Sequence, residues 1–177
     1  MPKPGKGVTS TFTPPTLRYG LSRSCGRGSV TAPLQSATMA LSIRNKLSGT
    51  VSAIRAGEVM ATVKTRLAGG QVVTAAITRE AVDELGIADG SPVSVLVKST
   101  EVAVSTEPVS GISIRNQLRG EVAAIATGGA MATVRIAVDG GELTAAITKE
   151  AVDELGLSAG AQVVALIKST EVSLTTA

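Results

Sequence analysis

The sequence has no histidine, no tryptophan, one cysteine (Cys25) and two aromatic residues, Phe12 and Tyr19. Each shortage removes a class of function. Without histidine the chain lacks the usual general base near neutral pH and the commonest metal ligand. One thiol closes no disulfide within the chain, so cysteine gives no support for secretion. With no aromatic side chain after Tyr19 there is no platform for stacking unpaired bases, which argues against nucleic acid as a partner. No apolar run approaches the roughly 20 residues that cross a bilayer as a helix, so no membrane partner is expected. The expectation is a soluble protein whose core is built from Val, Ile, Leu, Ala and Met. Its 177 residues suffice for one medium domain or two small ones.

Negative charge is missing from one region only. Residues 1–41 carry Lys3, Lys6, Arg18, Arg23 and Arg27 and no acid, while the rest holds 12 bases against all 14 acids, a local −2. The overall +3 therefore reflects the N-terminal stretch, and the remainder has no basic footprint for nucleic acid. Residues 1–38 are rich in Pro, Gly, Ser and Thr and show neither a helical nor a strand period. Such a composition buries too little apolar surface to offset its ordering entropy. A disordered tail is expected over residues 1–39. A basic arm and a targeting segment are both compatible with it, but the position of Met39, just ahead of the first patterned segment, favours translation starting there.

What is present is a repeat. Thr74-Ala75-Ala76-Ile77-Thr78-Arg79-Glu80-Ala81-Val82-Asp83-Glu84-Leu85-Gly86 returns almost unchanged at residues 144–156. Ser42-Ile43-Arg44-Asn45 matches Ser113-Ile114-Arg115-Asn116, Met60-Ala61-Thr62-Val63 matches residues 131–134, and Lys98-Ser99-Thr100-Glu101-Val102 matches residues 168–172. The second copy is one residue shorter beside its Gly-Gly pair, a change that a hairpin turn tolerates. The two units span residues 40–105 and 111–176, with a short linker between them.

Within the first copy, β-branched and small residues between glycine-containing turns predict strands near 47–54, 59–67, 72–77, 93–97 and 102–104. A short helix is expected over 79–85, with Thr78 as N-cap, Glu80 near the positive end of its dipole and Gly86 ending it. Five strands and one helix in so short a unit leave two open edges if the sheet stays flat. The fold class expected is therefore mainly β: two OB-like Greek-key barrels, each with one short helix closing an end. Units this small are marginal alone, which favours oligomers.

The usual enzyme constellations are missing: no phosphate loop, dinucleotide motif, metal-ligand cluster or nucleophile–base pair occurs. The chain is expected not to be an enzyme and to need no catalytic cofactor or bound metal ion. Asp83-Glu84 and Asp153-Glu154 are neighbours that do not face each other on a helix and read as a solvated face. The recurring polar residues are more informative. Ser42, Arg44, Thr78, Lys98 and Ser99 in one copy, and Ser113, Arg115, Thr148, Lys168 and Ser169 in the other, offer cations, hydroxyls and helix-entrance N–H groups. No carboxylate among them would repel a dianion, so the set suits an oxyanion. The plainer alternative is that the cations are solvated barrel rims and the hydroxyls cap turns.

In combination, the Ser-x-Arg-Asn start, the Met-Ala-Thr-Val strand, the Thr-Ala-Ala-Ile-Thr segment and the Lys-Ser-Thr-Glu-Val end resemble the Mop/TOBE family of molybdenum-pterin-binding proteins, the molbindins, in its tandem di-Mop form. The resemblance covers both units and omits the tail. It implies a cytoplasmic protein of OB-like barrels assembled into rings, as a trimer of two-barrel chains, with molybdate or tungstate at inter-barrel sites formed by the ten residues just named. The departures are Ile43 and Ile114, where Ala is common, and Ala81 and Ala151, where some relatives have Ser. The implied function is oxyanion storage, buffering or homeostasis; a sensing or transporter-accessory module is the alternative.

Overall fold

The computed structural model describes residues 41–176. The expectations for residues 1–39, including a start at Met39, lie outside the described residues. The described chain is mainly β. The first repeat forms β1 (Asn45–Ala56), β2 (Met60–Leu67), β3 (Val72–Thr78), α1 (Arg79–Leu85), β4 (Pro92–Val97) and β5 (Ala103–Ser105). The second forms β6 (Asn116–Thr127), β7 (Met131–Val138), β8 (Gly141–Thr148), α2 (Lys149–Glu154), β9 (Gln162–Ile167) and β10 (Ser173–Thr176). A 3₁₀ turn precedes each last strand, at Ser99–Glu101 and Ser169–Glu171.

The period of two is plain in β2, where Ala61, Val63, Thr65 and Leu67 point inward and Met60, Thr62, Lys64 and Arg66 outward. β4 is different. Five of its six residues are buried, because it lies inside the sheet between two neighbours. β1 serves two partners, β4 along its first half and β2 along its second, with a register shift between Val51 and Ala53. A bulge of this kind bends the strand and raises its twist, which lets a five-stranded sheet curl. The same shift recurs in β6 between Val122 and Ala124.

Helix α1 starts as its residues dictate. Thr78 Oγ1 accepts from the Ala81 N–H at 3.1 Å, and Gly86 ends the helix at φ 59°. Its one buried side chain, Val82, packs with Val51, Ala61, Val63, Ile87 and Val93 inside the curled sheet. The shortened hairpin of the second repeat is also explained. Val138 pairs with Gly141, leaving Asp139 and Gly140 as the turn, with Gly140 at φ 97° where glycine is favoured.

Each repeat has OB-like strand order, but neither completes its own sheet. The orders are β10-β4-β1-β2-β3 and β5-β9-β6-β7-β8. The last strands have changed places: Ser173 of β10 lies opposite Leu96, and Ala103 of β5 opposite Leu166. The sheets are thus composite. Exchange of an equivalent element keeps the pattern of strand pairing while binding the two units together, so its energetic cost is low. The main apolar cluster accordingly draws on both repeats, Leu47, Val73 and Val97 together with Leu118, Ile136 and Ile167.

Two buried asparagines lock the junction. Asn116 Nδ2 donates to the Thr74 carbonyl at 2.9 Å while its Oδ1 accepts from the Thr74 N–H at 2.7 Å. Asn45 does the same to Thr144, at 3.0 and 2.7 Å. Each amide pairs with the edge of the other repeat's sheet as a further strand would, and both side chains are shielded from water, with the residues 1% exposed. Nearby, the two β-hairpin turns meet so closely that a Cβ on Gly69 would collide with Asp139.

Candidate functional site

The candidate cations stand where paired strands run out. The last register pair of β1 and β4 is Asn45 with Val97, so Arg44 and Lys98 leave the sheet side by side. In the second repeat the corresponding pair is Asn116 with Ile167, followed by Arg115 and Lys168. Both lysines are exposed and extended, each at the entrance to its 3₁₀ turn. Among the described residues neither is held in an ion pair: the two bridges present are Arg79–Asp83 at 3.9 Å and Arg135–Glu142 at 3.7 Å.

The strand exchange then carries each 3₁₀ turn onto the other repeat. The turn Ser99–Glu101 lies against β8, and the turn Ser169–Glu171 against β3. Two pseudo-equivalent cavities result. One, of about 170 Å³, is lined by Lys98, Ile43 and Leu96 of the first repeat and by Thr170, Glu171 and Ser173 of the second. Its counterpart, of about 240 Å³, is lined among others by Lys168, Ile114 and Leu166 of the second repeat and by Thr100 and Ala103 of the first. Neither cavity could be made by one repeat alone.

The ten expected residues are distributed unevenly around these cavities. Lys98 and Lys168 line them, and the isoleucines between Ser42 and Arg44 and between Ser113 and Arg115 form an apolar wall. Ser42, Arg44, Ser113 and Arg115 are exposed or flank that wall in sequence without lining it. Ser99 and Ser169 are half-buried at the start of the turns, and Ser169 Oγ is shut off from solvent with no hydrogen bond. Thr78 and Thr148 lie elsewhere. Their hydroxyls are used as helix caps, each accepting at 3.1 Å, and they open onto separate clefts lined by Glu80, Asp83 and Glu84 or by Glu150, Asp153 and Glu154.

One expectation needs correction. The expected set holds no carboxylate that would repel a dianion, yet Glu101 and Glu171 are half-buried and each lines both lysine cavities. Each carboxylate sits at the end of a turn that the exchange aims across the junction, so its place in the site follows from tertiary structure. Thr100 Oγ1 donates to Glu101 at 3.5 Å and Thr170 Oγ1 to Glu171 at 3.4 Å, which engages part of their accepting capacity. Each cavity therefore sets one ammonium against two carboxylates, and an anion there requires further positive charge from the neighbouring arginine or from another copy.

Asn45 and Asn116, not among the expected site residues, bridge the two repeats next in sequence to Arg44 and Arg115. A signal existed. Both are polar residues that recur in register at the first position of an apolar strand, where a side chain without a partner would be costly.

Comparison with known proteins adds to this geometry. The model of the TOBE domain matches the chain twice, at residues 41–104 and 112–174. The molybdenum transport protein ModE of Azotobacter vinelandii is 36% identical over 142 residues, covering 80% of this chain and 53% of that protein. The molybdenum-pterin-binding protein MopA of Rhodobacter capsulatus is 38% identical over 170 residues, covering 89% of this chain and 63% of its own length. The chain thus spans between about half and under two thirds of the length of these curated relatives. Among solved structures, the cytoplasmic molybdate-binding protein ModG with molybdate bound superposes with a TM-score of 0.75 at 43% identity, over 78% of this chain and all of that one.

Proposed function

The chain belongs to the TOBE-domain family, and from that premise we propose that it binds molybdate at the junctions between its repeats, for storage, buffering or homeostasis inside the cell. The observation that carries this reading is the pair of lysine-bearing cavities that only two repeats together can form. The similarity to ModG, which extends over the whole of that molybdate-binding chain, supports the same ligand. Residues 40–105 and 111–176 act as the two binding repeats, and no chemistry is performed on the anion. Tungstate, a tetrahedral dianion of the same charge, is expected to bind as well.

Lys98 supplies a compact charge on a flexible stem, suited to a tetrahedral oxyanion, and Arg44 stands next to it at the strand end. Hydroxyls and turn N–H groups from Ser42, Thr78 and Ser99 complete a first set; Ser113, Arg115, Thr148, Lys168 and Ser169 make the second. Thr78 and Thr148 open onto other clefts in one chain, and the two carboxylates in each cavity leave it short of positive charge. Both facts favour completion of the sites by further copies, as in a trimer of two-barrel chains in the cytoplasm. Discrimination against sulfate comes mainly from cavity size, since charge and shape are shared.

Equilibrium dialysis with molybdate, tungstate and sulfate tests the ligand, and light scattering tests the assembly. Saturable molybdate and tungstate binding with weak sulfate competition is expected from a stable oligomer. Absence of molybdate binding sinks the reading. A sensing module is the second reading, favoured by the likeness to ModE, of which this chain covers 53%. It would require molybdate to change the chain's association with another macromolecule.

A further inference from the structure

The two cavities of one chain are built from the same residue types at every matched lining position but one. Lys98 corresponds to Lys168, Ile43 to Ile114, Leu96 to Leu166, Thr170 to Thr100, and the two glutamates to each other. The exception lies on the exchanged strands. Ser173 of β10 lines the Lys98 cavity, whereas Ala103 of β5 lines the Lys168 cavity. Strand register fixes both placements: Ser173 is opposite Leu96, two residues before Lys98, and Ala103 is opposite Leu166, two residues before Lys168. Both side chains are exposed to the cavity space, so the serine adds a hydroxyl donor where the alanine presents a methyl group.

We propose that Ser173 makes the two oxyanion sites of each chain unequal, with the Lys98 cavity the tighter site and the Lys168 cavity the weaker. The inference rests on the proposed binding of molybdate at the repeat junctions. Its physical basis is the charge balance of the cavities. One ammonium faces two carboxylates in each, so donors that carry no charge count for a larger share of the anion's stabilisation. A hydrogen bond to a charged group changes affinity by about tenfold or more. The exchange of strands also inverts the assignment that sequence order suggests: the serine belongs to the second repeat and serves the lysine of the first. A protein with two such sites holds some molybdate firmly and releases the rest over a higher concentration range.

The test is a sodium molybdate titration of the full chain by equilibrium dialysis, with metal counted by mass spectrometry, on the wild type, Ser173→Ala, Ser173→Thr and Ala103→Ser. The wild type should show two classes of site about tenfold apart. Ser173→Ala should merge them at the weaker affinity and Ala103→Ser at the tighter. Ser173→Thr, which retains the hydroxyl, should keep two classes. Unchanged thermal unfolding shows that each variant remains folded, and Ala103→Ser gives a gain that damage to the fold cannot imitate. Equal sites in the wild type, or a ratio untouched by Ser173→Ala and Ala103→Ser while molybdate still binds, overturns the inequality and leaves the function standing. No molybdate bound by the wild type overturns both.

Discussion

Replacing Asn116 by alanine should loosen the junction on which both cavities depend. The residue is 1% exposed and makes two hydrogen bonds to Thr74, at 2.7 and 2.9 Å. Two net hydrogen bonds are worth about 2 kcal/mol, and orphaning buried partners raises the cost, so a loss of about 2–4 kcal/mol is expected. Water admitted to the gap favours the lower end. For a domain of this size the midpoint should fall by roughly 5–12 °C. Urea unfolding, followed by circular dichroism and fitted with a common m-value, measures it directly. Asn116→Asp keeps the acceptor for the Thr74 N–H but sets a carboxylate against the Thr74 carbonyl, so it should fare no better than alanine. Asn45→Ala should behave alike at Thr144. Losses below about 1 kcal/mol for both Asn116→Ala and Asn45→Ala would refute the view that these amides clamp the repeats together.

Three further outcomes follow from the same geometry. Lys98→Ala and Lys168→Ala should each weaken molybdate binding at one cavity by at least about tenfold with the fold intact, and the double variant should bind almost none; normal stoichiometry in the double variant would return the lysines to the role of solvated rims. Ending the chain after Val172 removes β10, so amide-exchange protection should drop in β4 of the first repeat and persist in β9 of the second; loss in β9 instead would contradict the strand exchange. Gly69→Ala should lower the unfolding midpoint although the residue is exposed, because its Cβ meets the Asp139 backbone, while Gly90→Ala is strained only by its own φ of 89°.

The elements themselves were legible in the residues. β-Branched and small residues between glycine-containing turns marked β2, Thr78 and Gly86 bounded α1, and the recurrence of four separate motifs announced two copies of one unit. These features are local: strand period, capping and turn chemistry act between residues close in the chain. The lysines, too, could be singled out, since each follows an apolar strand at the same place in its copy. Tertiary structure decided what surrounds them. A repeated sequence can pair with its own last strand or with its twin's, because closely similar backbone pairings form in both arrangements and the path of the linker differs. That choice sent β10 to the first sheet and β5 to the second, moved Glu101 and Glu171 into cavities expected to be free of acid, and set Ser173 beside Lys98. The buried Asn45 and Asn116 could be recognised as recurring polar residues, but their partners, Thr144 and Thr74, lie 99 and 42 residues away and were fixed only when the two sheets met.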